Sequence, residues 1–328
     1  MSRPGIVLYH GIESGAELRE YGRIAEDHGF ASLWVTERYF HEETFSMLGF
    51  LAATTQHIKL GVGVVNPYTR NPALLAMASA TLDRISGGRF MLGLGRSEKP
   101  VIQEKMGIPY RNARGTLSET VAHLRKLFAG ERVTATEGRY KLSGVRLATT
   151  PLQSQLPIYL SGIGVKGLRL IGEIADGAVL NAYAPPAYVR YAVAEIRNAA
   201  QAAGRDPQTL DIACMLVVRL TDNPASMYPT LKQRLVRLLA EPYIGEILLE
   251  KGGFDPSILP ALRETVKKEG EKAAAPFISD AMVDAFYVVG PAERCKARID
   301  EYRQAGVTAP LLLPRLEEYK RVAAACGG

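Results

Sequence analysis

Short apolar runs alternate along this chain with stretches whose apolar residues recur every three to four positions, the signature of strands and amphipathic helices in turn. Ile6-Val7-Leu8-Tyr9 reads as a first strand and residues 15–28 as a helix with Leu18, Tyr21 and Ala25 on one face. Ser32-Leu33-Trp34-Val35 is strand two, with a helix from about Phe45, and Lys59 to Val65 is strand three. Pro72 opens the next helix where proline is tolerated, and Leu74, Leu75, Ala78, Leu82 and Ile85 follow at helical spacing. Phe90-Met91-Leu92 is strand four, and Leu117, Val121, Leu124 and Phe128 mark a long helix.

The rhythm breaks at residues 132–148, where Gly138 and Gly144 among Val133, Tyr140, Leu142, Val145 and Leu147 predict a small hairpin. It resumes with strand five (158–160), a helix (164–175), strand six (178–180), a helix (186–202) and strand seven (210–220). Residues 222–285 are polar, helical and proline-punctuated, and read as an insertion. A helix over 291–305, strand eight (307–313) and a last helix (315–325) complete the chain.

Eight strands alternating with helices predict an α/β fold, a closed (β/α)8 TIM barrel, as one domain over 1–328. An open doubly wound sheet is the alternative. It would place Gly-x-Gly-x-x-Gly after the first strand, whereas strand one runs into Tyr9-His10-Gly11.

Composition narrows the class. At 47% hydrophobic and 23% charged the chain suits a globular protein with a sizeable core. Its net charge of +6 suits an anionic ligand or nucleic acid, but no basic stripe with interleaved aromatics supports nucleic acid. Cys214, Cys295 and Cys326 form neither a metal spacing nor a Cys-x-x-Cys pair, so a reduced, cytoplasmic compartment is expected. No apolar stretch is long enough for a signal peptide or membrane span.

In a barrel of this kind the chemistry sits at the C-terminal strand ends. These deliver His10; Thr36, Glu37 and Arg38; Asn66; Gly95, Arg96, Ser97 and Glu98; Ser161, Gly162, Ile163 and Gly164; and Asn181. Gly93-Leu94-Gly95 after strand four and Ser161-Gly162-Ile163-Gly164 opening a helix are glycine-rich turns of the type that cradles anions. The bland alternatives are tight turns for the glycines, a surface pair for Glu37 and Arg38, a structural role for His10 and a loop cap for Asn181. No nucleophile triad, histidine-rich metal spacing or phosphate-binding Gly-Lys-Ser/Thr loop is present, so a cofactor is expected to carry the reaction and no metal is assigned.

Several motifs resemble the bacterial luciferase-like superfamily: Leu60 to Pro72 (LGVGVVNPYTRNP), Ala80 to Arg89 (ATLDRISGGR), Trp34-Val35-Thr36-Glu37-Arg38 and Ile174-Ala175-Asp176-Gly177-Ala178. The similarity covers most of residues 5–220, returns at Val288 to Pro291 and Ala305 to Val307, and is weakest in the insertion. Within the superfamily it points to the deazaflavin-dependent branch, methylenetetrahydromethanopterin reductase in particular. The resemblance implies coenzyme F420, or else FMN, at the C-terminal mouth, with a non-prolyl cis peptide at Gly63-Val64 backing the ring. It puts Gly63, Val64, Val65 and Asn66 under the ring, and Gly95, Arg96, Ser97, Ser161, Gly162, Ile163 and Gly164 at the phosphate and linker. Lys166, Lys99 or Arg96 would meet the anionic tail, and the insertion, with Tyr228 and Tyr243, would shape the substrate pocket.

Where many relatives carry Asp-His after strand two, this chain has Glu37-Arg38. Strand one lacks the reductase's acidic residue, and Ser97-Glu98-Lys99 replaces Gly-Asp-Lys. The pterin substrate is therefore not carried over, and Glu37, Glu98 and His10 are the candidate acid–base residues. The expected function is F420-dependent hydride transfer to or from a small-molecule substrate. The alternatives are an FMN-dependent monooxygenase and a non-catalytic cofactor-binding barrel. A homodimer is expected, and a reductase or F420-reducing partner fits either enzyme reading.

Overall fold

A computed structural model describes residues 3–327. In chain order its elements are β1 (Gly5–Leu8), α1 (Gly15–Asp27), β2 (Ser32–Val35), α2 (Thr44–Thr54), β3 (Lys59–Val65), α3 (Pro72–Ile85), β4 (Phe90–Leu94) and α4 (Ala113–Phe128). The antiparallel hairpin β5 (Val133–Ala135) and β6 (Leu142–Val145) follows, at the predicted place. Next come β7 (Ile158–Leu160), α5 (Val165–Ile174), β8 (Gly177–Leu180), α6 (Pro186–Ala202) and β9 (Asp211–Leu220). Between β9 and β10 (Val288–Gly290) lie α7 (Tyr228–Ala240), α8 (Ile244–Gly252), α9 (Leu259–Glu269), α10 (Glu271–Ala274) and α11 (Asp280–Phe286). The chain ends with α12 (Ala292–Gln304), β11 (Ala309–Leu313) and α13 (Tyr319–Cys326).

Eight parallel strands close in the order β1-β2-β3-β4-β7-β8-β9-β11, with β11 returning to β1 at Gly5↔Leu311. This is the expected (β/α)8 barrel. Two features differ from the sequence reading. Val288–Gly290 is a ninth parallel strand, β10, which pairs with the last residues of β9 beyond the point where β8 ends. Residues 100–105, after β4, wind into a π-helical turn.

The glycines of β3 have a packing cause. The Trp34 indole lies inside the barrel, its Nε1 donating to the Ser32 hydroxyl at 2.9 Å. A Cβ at Gly61 would stand 2.4 Å from that ring, so only glycine leaves room for it. Val7, Met91, Tyr159, Val179, Met215 and Leu311 fill the rest of the interior around Trp34, which makes it a packed core rather than a pore.

The N-terminal rim is pinned by charged side chains that satisfy backbone. Glu26 accepts from the amides of Gln56, His57 and Ile58, and the Arg89 guanidinium donates to the carbonyls of Ala52, Thr55, Ile58 and Ser86. These bonds stiffen the face opposite the expected site. No helix among the described residues is long and apolar enough to cross a membrane.

Candidate functional site

At the C-terminal end of β3 the Gly63–Val64 peptide is cis, as the resemblance implies. The register between β3 and β4 shifts here: Val62 pairs with Leu92, and Val65 pairs with Leu94. Two glycines on β4 accept this irregularity. A Cβ at Gly93 would stand 2.1 Å from the Val62 carbonyl oxygen, and one at Gly95 would stand 2.6 Å from Val64 Cγ2. Val64 packs partly buried on the barrel's interior cluster, as the floor of the mouth on this side.

Beside this floor a polar chain ties three loops together. Asn66, only 2% exposed, accepts from the amides of Tyr68 and Thr69 through Oδ1 and donates through Nδ2 to the Tyr39 hydroxyl at 2.9 Å. Tyr39 in turn shares a hydrogen bond with Ser97. Burial, joined by the charges of Glu37 and Glu98, raises the Tyr39 hydroxyl above its ordinary pKa against the opposing bonds from Ser97 and Asn66. Ser97 has φ of +60°, in the left-handed region, which turns the loop sharply after Gly95. Arg96 and Glu98 are exposed, and the Arg96 guanidinium reaches the Tyr110 hydroxyl at 3.4 Å.

At the end of β7 the Ser161 hydroxyl donates to Asn181 Oδ1 at 2.9 Å, and the Tyr188 hydroxyl donates to the Ile163 carbonyl at 2.6 Å. Gly162 lies against the backbone of Gly167, where a Cβ would come within 3.1 Å. Gly164 caps α5 without any side-chain hydrogen bond. No described residue accepts from the amides of Gly162, Ile163, Gly164, Val165 or Lys166. A run of unmet N–H groups at a helix start attracts an anion. Because β4 and β7 are adjacent, this run and the Arg96–Ser97 turn lie on neighbouring strand ends. Lys166 is exposed in the first turn of α5.

The three acid–base candidates are placed differently from one another. Glu37 forms a two-point ion pair with Arg70, whose Nη2 also meets Glu43 at 2.5 Å; both members of the Glu37–Arg70 pair are largely buried. Its carboxylate is thereby engaged, and Arg38 turns instead to the Tyr9 hydroxyl at 2.6 Å, so the two neighbours are not a pair with each other. Glu98 is exposed and has no side-chain partner among the described residues. The His10 ring lies between Tyr9 and His41, with centroids 4.1 and 4.2 Å away, and its Nε2 is buried without a hydrogen-bond partner. Burial lowers its pKa, and the charges of Arg38 and His41 push the same way against Glu42.

A groove of about 510 Å³ runs along the β2 loop and the start of α3, lined by Glu37, Arg38, Tyr39, Phe40 and Arg70 among others, but by neither glycine-rich turn. Of the insertion's tyrosines, Tyr243 packs on the glycine-rich turn after β7, its hydroxyl 2.0 Å from where a Cβ on Gly164 would sit. Tyr228 is held within the insertion region by its bond to Asp284 at 2.7 Å. Sequence reasoning assigned no role to Tyr39 or Arg70. Both lie within or beside the quoted motifs, but their partners are 27 to 58 residues away.

The profile of the luciferase-like monooxygenase family matches residues 2–309. The chain belongs to this family, a family of oxidoreductases. It is 36% identical over 294 residues to the 5,10-methylenetetrahydromethanopterin reductase of Methanolobus tindarius, covering 89% of this chain and 88% of that one. It is 30% identical over 229 residues to the F420-dependent glucose-6-phosphate dehydrogenase of Nakamurella multipartita, covering 66% and 67%. The structure of the coenzyme F420-dependent tetrahydromethanopterin reductase from Methanopyrus kandleri superposes with a TM-score of 0.83 at 26% identity, covering 98% and 97%.

Proposed function

We propose that the protein is an F420-dependent oxidoreductase that moves a hydride between carbon five of the deazaflavin and a small organic substrate. The observation that carries this reading is the run of unmet amides from Gly162 to Lys166 beside the Arg96–Ser97 turn. It is a mould for a phosphate, placed next to the apolar floor at Val64. A side chain at Gly95 would press on that floor, its Cβ 2.6 Å from Val64 Cγ2.

When bound, the deazaflavin supplies two-electron hydride chemistry at carbon five. The chain's own residues supply position, charge and exclusion of water. Gly63, Val64, Val65 and Asn66 would back the ring. Gly95, Arg96 and Ser97, with Ser161, Gly162, Ile163 and Gly164, would hold the phosphate and linker, and Tyr243 would close over them. Lys166, Lys99 and Arg96, exposed at the rim, would face the anionic glutamate tail. His10 Nε2, an orphaned buried nitrogen at the end of β1, and the exposed Glu98 are the groups suited to exchange a proton with substrate. Glu37 acts through Arg70, holding the β2 and β3 loops in place.

The relatives that share the cofactor name different substrates, and the interior of β1 presents Val7 rather than an acid. A second copy of the chain is the proposed partner for the exposed apolar residues Phe40, Leu74 and Met77, near the ends of β2 and β3. The function is tested by anaerobic incubation of the F420-loaded protein with panels of donors and of acceptors for reduced F420. Change in deazaflavin absorbance that depends on an organic reactant supports the reading. Turnover seen only with FMN and accompanied by oxygen uptake replaces it with the monooxygenase.

A further inference from the structure

One buried cation at the mouth meets its carboxylate partner only loosely. Arg219 is the penultimate residue of β9, and its side chain is only 5% exposed. Ala213 and Met215 of the same strand face the barrel interior, and Arg219 lies four residues beyond Met215 at the C-terminal end of the strand. Its Nη1 donates to the carbonyls of Val218 at 2.6 Å and Leu313 at 3.4 Å. Glu318 Oε2 stands 3.8 Å from Nη1, outside hydrogen-bond reach. Arg219 Nε has no hydrogen-bond partner, nor has that Glu318 oxygen. The Nε edge is the one with which a guanidinium takes a carboxylate or phosphate side-on.

Glu318 is the nearby charge that most favours the Arg219 cation against its burial, and two further cations oppose it. Arg315 on the β11 side and Arg234 on α7 both lie close enough to disfavour the Arg219 charge, after burial itself. Arg315 meets Glu317 only at 3.5 Å, and Arg234 has no ion-pair partner among the described residues. Tyr183, just beyond β8, and Tyr287, before β10, meet edge to face at 5.2 Å beside this group and wall it off.

In the closed ring β9 lies four strands from β3, so the strand end that carries Arg219 stands across the mouth from the Val64 floor. A ring held at that floor would leave the Arg219 side of the mouth for a substrate.

We propose that Arg219, supported by Arg234 and Arg315, binds an oxyanion carried by the substrate, a carboxylate or a phosphate. The substrate class this assigns rests on the reading of the opposite wall as the F420 site. Arg219 grips the anion through its Nε edge, while its Nη1 bonds to β9 and β11 fix the fork in place.

The test is calorimetric titration of the protein, saturated with F420 so that the phosphate mould is filled, with inorganic phosphate and with succinate at constant ionic strength. Saturable binding of either anion is expected, the better one naming the chemistry. Arg219→Met should weaken it at least tenfold and leave F420 affinity within about twofold. Arg234→Ala, on the exposed face of α7, should weaken it several-fold and covers the case in which Arg219→Met does not fold. Absence of saturable anion binding, or equal binding by wild type and both variants, overturns the proposal. If F420 itself does not bind, the functional reading fails separately. The same titration on cofactor-free protein, with Arg96→Met as the control at the other wall, then decides the anion site alone: dependence on Arg219 but not Arg96 supports it, and dependence on Arg96 alone overturns it.

Discussion

A methyl group on Gly95 would stand 2.6 Å from Cγ2 of Val64, the residue that floors the mouth. Valine is stiff about its first torsion, so the contact can be relieved only by moving the floor. Gly95→Ala should cost about 1–3 kcal/mol of stability, the usual range for overpacking. It should also weaken F420 binding at least tenfold. Denaturant melts and fluorescence titration check the two effects together.

Glu37 and Arg70 join loops 33 residues apart in the chain by a two-point pair that is mostly shielded from water. Removing one partner leaves the other charge buried and alone, which costs about 3–5 kcal/mol. Arg70→Ala is therefore expected to lose roughly that much, tempered by Glu43, which also meets Arg70. The double variant Glu37→Gln, Arg70→Met should recover part of the loss. Urea unfolding of the three proteins gives the comparison.

The Tyr39 hydroxyl links Asn66 to Ser97. Tyr39→Phe leaves the Asn66 amide group without its acceptor, at a cost of about 1–2 kcal/mol. The larger effect is expected on KM for F420, because the β4 turn loses its tie to the β2 loop. An unchanged KM with a normal melt would show that Ser97 is positioned by its own backbone.

His10 gives the pH dependence a sign. Its pKa is lowered in the folded protein by burial, Arg38 and His41, against Glu42. Above the ordinary histidine pKa both states are neutral. As pH falls below about 6.5, the unfolded chain takes up the proton first and stability declines. His10→Gln should flatten this decline between about pH 6.5 and 5. Melting temperatures of both proteins across that window measure it, and parallel curves would assign the slope elsewhere.

The barrel was legible because its strands and helices carry different apolar periods, and the helix starts are marked by residues such as Asn71-Pro72, where Asn71 accepts from the Leu74 amide at 2.9 Å. β10 was not, because three residues running straight into α12 are too short to show a period. The two glycine-rich turns could be read locally, since their amides belong to consecutive residues. The Tyr39 chain and the Glu37–Arg70 pair could not, because each joins loops brought together only by closing the barrel. Arg219 did leave a signal in the sequence: one arginine in the apolar run Ile212 to Leu220. A charge near the end of a buried strand is costly unless something pairs with it.

The central claim is that the β4 and β7 strand ends form an F420 site, and side-by-side fluorescence titration of the cofactor-free protein with F420 and FMN at several salt concentrations tests it most directly. The account predicts tighter binding of F420, weakening as salt screens the exposed Arg96, Lys99 and Lys166 from the glutamate tail. Preference for FMN, or failure to bind either, would contradict it.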